Sequence, residues 1–282
     1  FETPGGYPVR VRGGHRDNRY RGRPPERPSD SIDAMSPLMI LDVTPDDSVA
    51  FVANSTGNSS IPSVLLFNYR RNLLATPWDS LRLHERMMLI NVRRTIALHP
   101  GAAVRYFGDN DCRVALLEHD SLGALLVSYF DHEKDGRLRS DMCRLAMLRQ
   151  GGFYFDNDLG VRGDVRQVLH SQTTFVVPEI VRGSFDPNPP GFFQAFVAAA
   201  PHHPIIEIAL RRHVAWYVAK ARHDRREIHR VTRGVQKPNV GTVLLRDAFL
   251  AWAGESALQM ARGHGLVVHP DGQCSQALNF SL

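Results

Sequence analysis

The segment from Ser140 to Asp158 constrains the fold more than any other part of the chain. Leu138, Met142, Leu145 and Leu148 recur at helical spacing, Gly151-Gly152 breaks the helix, and Phe153-Tyr154-Phe155 reads as a short aromatic strand. Asp156 and Asp158 follow where that strand ends. Ligands of open α/β sheets bind beyond the carboxyl ends of the strands, so this placement predicts a site. Side chains at i and i+2 of an extended strand share a face but stand about 7 Å apart, so a turn brings them onto one ion more readily, and Gly160 helps the chain turn. Two carboxylates with no Cys or His beside them form a hard oxygen set that favours Mg²⁺ or Mn²⁺ over zinc. On spacing alone the same residues also fit an acidic turn. Asp141 and Arg144, three apart on one helical face, also fit an exposed ion pair.

The chain around this segment alternates strand and helix. Val64-Leu65-Leu66-Phe67 is an apolar run suited to a buried strand, and Pro77 opens a helical pattern through Leu81, Glu85, Met88, Val92 and Ile96. Val104 to Phe107 forms a second strand, and helices follow over Cys112 to His119, Ser121 to Phe130 and about Leu138 to Gln150. That alternation predicts an α/β fold with a mostly parallel central sheet flanked by helices. Hydrophobic residues at 43% of 282 exclude a wholly disordered chain, and no apolar run reaches the roughly 20 residues needed to cross a bilayer. Residues 1–60 read differently: Gly and Pro pairs sit among seven arginines before Ser29, which predicts a flexible arm with short ordered pieces between Ile32 and Val52. The folded body is expected over 61–282.

Cys112, Cys143 and Cys274 are too few for a disulfide framework, although one bridge can form. Asn54, Asn58 and Asn279 open glycosylation sequons, which points to a secretory lumen. The sequence starts at Phe1 and carries neither signal peptide nor anchor, as a fragment or processed form would.

The run Asp141-x-x-Arg144, Leu148, Gly151-Gly152-x-Tyr154-x-Asp156-x-Asp158 resembles the signature of glycosyltransferase family 32, the group with the Asp-x-Asp sugar-binding region. Ile61-Pro62-Ser63-Val64-Leu65-Leu66-Phe67-Asn68-Tyr69 is similar to that family's first strand. Phe196 to Pro204 and Asn239-Val240-Gly241-Thr242 are similar to its acceptor-side helix and Thr-Gly-Pro loop. The resemblance implies a GT-A-like nucleotide-sugar-binding fold and a metal-dependent transferase that retains anomeric configuration. It implies Mn²⁺ or Mg²⁺ on Asp158, with Asp156 reaching the ribose or the ion. It also implies donor-sugar contacts from Asp141 and Arg144, nucleobase stacking on Tyr69, and substrate contacts from Gly151, Gly152, Asn239 and Gly241. The donor would be a UDP- or GDP-sugar and the acceptor a glycan or glycolipid, in the Golgi or another secretory lumen, with any membrane anchor outside the sequence shown. Leu66 replaces the family's first-strand His, Val240-Gly241-Thr242 replaces Thr-Gly-Pro, and His269 is the nearest candidate for the third metal ligand.

Two other functions fit the same residues. A haloacid-dehalogenase-like phosphatase also places Asp-x-Asp after an apolar strand, but it commonly has Thr or Val where this chain has Gly160. The other is a GT-A-like domain without turnover that binds a partner through the basic segment Arg211 to Lys237, which holds nine basic and two acidic residues. That segment lacks the aromatic interleaving of a nucleic-acid platform, so nucleic acid is not expected as a partner. His202-His203 reads as a solvated helix cap and Trp216-Tyr217 and Trp252 as core, while lining of an acceptor groove is the lesser reading of Phe192-Phe193.

Overall fold

A computed structural model describes residues 39–41, 60–169, 173–178, 192–232, 240–254, 266–268 and 274–276. Strands β1 (Met39–Leu41), β2 (Val64–Asn68), β3 (Ala103–Phe107), β4 (Gly152–Phe155), β5 (Leu159–Val161), β6 (Phe175–Val177), β7 (Phe196–Ala199), β8 (Leu266–Val268) and β9 (Cys274–Gln276) alternate with seven helices. The helices are α1 (Leu83–Leu98), α2 (Asp109–Leu117), α3 (Gly123–His132), α4 (Gly136–Arg149), α5 (Pro204–Ala221), α6 (Arg225–Thr232) and α7 (Val240–Ala253). Seven strands form one sheet in the order β3-β2-β4-β7-β6-β8-β9. The pairs β2–β3 and β2–β4 are parallel and the remaining pairs antiparallel. Strands β3, β2, β4, β6 and β9 therefore share one direction, with β7 and β8 reversed. The expected mostly parallel sheet holds in strand direction, and within this sheet the parallel pairing is confined to β3, β2 and β4.

Leu65 to Phe67 of β2 and the aromatic run of β4 are buried on both faces because helices cover both sides of the sheet. Side chains alternate accordingly. Leu66, Tyr154, Val197 and Ala199 point into a core filled by α2 to α5 and α7. Leu65, Phe67, Phe153, Phe155, Phe196 and Ala198 point into a second core with Val92 of α1 and Leu159 and Val161 of β5. Gly151 and Gly152 reverse the chain between α4 and β4 with φ of +83° and +135°, and a Cβ on Gly152 would lie 2.7 Å from the Val64 carbonyl oxygen.

Helix boundaries follow local capping. α1 begins at Leu83, after a short 3-10 turn over Trp78–Ser80, because Glu85 reaches back to accept from the Arg82 backbone N–H at 3.0 Å. α2 begins at Asp109, ahead of the expected Cys112, because the Gly108 N–H donates to Asp111 Oδ2 at 2.9 Å. His203 caps α5 through its Nδ1, but instead of being solvated it is buried against Phe175 and Trp252, each ring centroid 5.2 Å away. His202 beside it is exposed. Trp216 and Tyr217 are buried in the core as expected. Within the expected arm, Met39–Leu41 pairs in parallel with β5; the sequons at Asn54, Asn58 and Asn279 lie outside the described residues. Cys112 of α2 and Cys143 of α4 form a disulfide. Among the described residues no helix is long and apolar enough to cross a membrane.

Candidate active site

Beyond the carboxyl ends of β2 and β4 the structure opens a cleft of about 550 Å³. Asn68 and Tyr69 reach it from the end of β2, and Asp156, Asn157 and Asp158 from the turn after β4. α4 supplies Gly136, Arg137, Arg139, Ser140, Asp141, Cys143 and Arg144, and the approach to β7 supplies Phe192 to Ala195. β7 runs antiparallel to β4, with Phe196 opposite Phe155, so its entry lies at the end where β4 exits. Thr242 in the first turn of α7 closes the wall.

Arg144 organises the floor. α4 is buried nearly all round because α2, α5 and α7 cover the faces that the sheet does not, so Arg144 is only 5% exposed. Its Nη1 donates to Asp141 Oδ1 at 2.9 Å and to Gln194 Oε1 at 2.5 Å. Its Nη2 donates to Asp156 Oδ1 at 2.9 Å, and the guanidinium lies 4.6 Å from the Tyr154 ring centroid. The Tyr154 hydroxyl donates to Asp156 and lies 3.0 Å from Asn68 Oδ1, which also accepts from Ser140. The helix partners Asp141 and Arg144 thus form a buried pair, joined by Asp156 from the strand, and the exposed-pair alternative fails.

Charge is unevenly balanced in this floor. Burial pushes the Asp141 carboxyl up to about 6 against the pull of Arg144. Asp158 is also raised, first by burial and then by the neighbouring Asp156, and no side chain among the described residues pairs with it. Asn157 donates to the Asn68 carbonyl at 2.8 Å and to the Tyr106 hydroxyl at 3.1 Å, which pins the middle of the turn to β2. At the rim, Glu85 is held down at about 2 by its hydrogen bond from Arg70 and then by the Arg82 backbone, and Arg70 lies over the Tyr69 ring at 5.4 Å.

Tyr69, Asp141, Arg144, Asp156 and Asp158 are therefore brought to one cleft. Gly151 and Gly152 are not among its lining residues; they sit at the entry of β4 and serve the backbone reversal there. Gly241 does not line it either. A Cβ there would overlap the Asp141 carboxylate, and its carbonyl accepts from Gln194 Nε2 at 2.5 Å. Its part is close packing of α7 on Asp141. Asn239 and His269 lie outside the described residues, and among the described residues no group of three His, Cys, Asp or Glu could hold a metal. Phe192 and Phe193 both line the cleft.

Sequence reasoning missed Gln194, Asn68, Ser140 and Asn157. Gln194 carried one usable signal, a lone amide directly before the apolar run of β7. It also missed that the Cys112–Cys143 bridge forms part of the cleft wall.

By sequence, the chain matches no protein-family model and no curated protein. Among solved structures it is similar to the PaToxG glycosyltransferase, at 14% identity and a TM-score of 0.42, over 71% of this chain and 73% of that one.

Proposed function

We propose that this protein is a glycosyltransferase that moves a sugar from a nucleotide-sugar donor to a glycan or glycolipid acceptor, with a divalent cation and with retention of configuration. One observation carries the reading: Asp141, Arg144, Asp156 and Asp158 converge in a single cleft at the carboxyl ends of parallel strands. Asp141 and Arg144 together offer an acceptor and donors, the complement a sugar hydroxyl needs. Tyr69 offers a ring at the rim for a nucleobase. Phe192 and Phe193 line the same cleft and offer an apolar surface for an acceptor.

The carboxylates fit a hard cation. Asp156 already accepts from Arg144 and Tyr154, so Asp158 has the greater spare capacity, and a cation beside it would offset the burial, and after it the Asp156 repulsion, that raise its proton affinity. Mn²⁺ or Mg²⁺ there would offset negative charge on a diphosphate leaving group. Asp158 would be the direct ligand and Asp156 would reach the ribose or a bound water. His269 follows β8 directly in sequence and is the candidate third ligand. The Cys112–Cys143 bridge supports maturation in an oxidising secretory compartment.

The test is incubation with Mn²⁺ and a panel of UDP- and GDP-sugars, with nucleotide release as the readout. Release should occur with one donor base and disappear in Asp158→Asn, which should melt no lower than the parent. No release and no binding with any donor, from a folded protein, would remove the proposal. Hydrolysis of an aryl phosphate without a nucleotide requirement would favour the phosphatase reading. Mn²⁺-dependent donor binding without product would favour a binding domain.

A further inference from the structure

Gln194 is buried, lines the cleft and stands just ahead of β7. Its amide is used at both ends. Oε1 accepts from Arg144 Nη1 and Nε2 donates to the Gly241 carbonyl, each at 2.5 Å. A guanidinium only donates and a carbonyl only accepts, so the two ends of the amide cannot be exchanged. A glutamate of the same length would set a carboxylate oxygen against the Gly241 carbonyl, a methionine would serve neither partner, and an asparagine is one methylene shorter. The position calls for glutamine itself.

The consequence falls on Arg144. One Nη1 hydrogen goes to Asp141 Oδ1 at 2.9 Å and the other to Gln194, so Nη1 is fully taken up. Nη2 donates to Asp156 Oδ1 at 2.9 Å, and its other neighbour, the Tyr154 hydroxyl, is 3.5 Å away, at the outer limit of a hydrogen bond. Nη2 thus keeps the more loosely held hydrogen. Asp141, Tyr154 and Asp156 belong to the same α4–β4 stretch as Arg144, whereas Gln194 lies 50 residues beyond Arg144 and Gly241 a further 47 along the chain. Gln194 therefore ties the floor to α7, whose Gly241 packs on Asp141 and whose Thr242 closes the wall. Buried amide bridges of this kind hold charged groups in one geometry.

We infer that Gln194 is the positioning residue of the cleft floor: it occupies Arg144 Nη1, leaves the Nη2 hydrogen for a sugar hydroxyl of the donor, and couples the α7 wall to that contact. Gln194 acts through Arg144 and not on the reacting atoms. The donor contact rests on the transferase reading, whereas the hold on Arg144 does not.

The experiment compares the full chain with Gln194→Met and Gln194→Glu by heteronuclear NMR after isotopic labelling of arginine, and by donor turnover with Mn²⁺. The Arg144 signals are assigned by their loss in Arg144→Lys. In the parent the two Nη1 hydrogens should give separate, slowly averaging signals, because rotation about the Cζ–Nη1 bond must break both hydrogen bonds. In Gln194→Met they should average faster, and kcat/KM for the donor should fall by up to about 100-fold, as a small misplacement of a binding group can cost. Gln194→Glu keeps the acceptor and loses the donor, so it should retain slow Arg144 signals and more turnover than Gln194→Met. If Gln194→Met does not fold, Gln194→Asn, too short to hold both partners, takes its place. Averaging unchanged in Gln194→Met, or as fast in Gln194→Glu as in Gln194→Met, would overturn the inference whatever the activity. Parent-like kinetics in a Gln194→Met protein whose Arg144 is freed would overturn the positioning role. The expected signals without donor release from any of the proteins would remove the transferase reading while supporting the hold of Gln194 on Arg144.

Discussion

Replacing Asp141 with Asn should stabilise the protein at neutral pH while damaging its proposed function. The carboxyl is buried in the cleft floor, and burial raises it from an ordinary 3.8 to about 6 despite the Arg144 guanidinium at 2.9 Å. Above that value the native state holds a charge that is less favourable there than in the unfolded chain. Between 3.8 and about 6 the native state binds more protons than the unfolded state, so this residue's contribution to stability falls as pH rises through that window and is flat above it. At 1.36 kcal/mol per tenfold change in proton affinity, the full difference is about 3 kcal/mol. An Asn at 141 can still accept from Arg144 Nη1, and Arg144 keeps Asp156 and Gln194, so no cation is left bare.

Urea unfolding of parent and Asp141→Asn should therefore coincide near pH 4 and diverge by up to about 3 kcal/mol in favour of the variant by pH 7. The raised Asp158 is common to both proteins and largely cancels in the difference. Donor turnover should fall at the same time, by about 10- to 100-fold in kcat/KM, because a charged acceptor for a sugar hydroxyl becomes a neutral one. A stability difference that does not change between pH 4 and 7, or a variant less stable than the parent at pH 7, would refute the claim that Asp141 is held ionised at a cost.

Three further outcomes are expected. Gly241→Ala places a methyl on the Asp141 carboxylate, so it should cost about 1–3 kcal/mol in denaturant unfolding and weaken donor binding measured by calorimetry; a neutral result would mean α7 does not press on Asp141. Reducing Cys112–Cys143, which are 31 residues apart, should lower stability by about 3–4 kcal/mol, and intact-mass measurement before and after reduction should show two hydrogen atoms gained; a single mass would show the thiols free. Arg144→Met leaves Asp141 in the cleft floor without its cation and should cost about 3–5 kcal/mol at pH 7, with much of the loss recovered near pH 4 as the Asp141 carboxyl protonates; thermal melts across pH read both.

The sequence by itself determined the elements whose signals are local. Apolar runs announced β2 and β4, the glycine pair announced the reversal between α4 and β4, and Asp156 and Asp158 could be placed at a strand exit because position after a strand is a property of the chain alone. The surroundings of those elements depended on contacts between distant segments. The Asp141–Arg144 pair has the spacing of a surface pair, and it is buried because α5 and α7, which begin only at Pro204 and Val240, close over α4. Gln194 enters the site because β7 runs antiparallel to β4, and strand direction is set by pairing energy across the sheet. The bridge between Cys112 and Cys143 likewise needed α2 to pack beside α4. Periodicity and turn chemistry act over a few residues, whereas burial, charge balance and the membership of a cleft are properties of segments that meet only once the chain has folded.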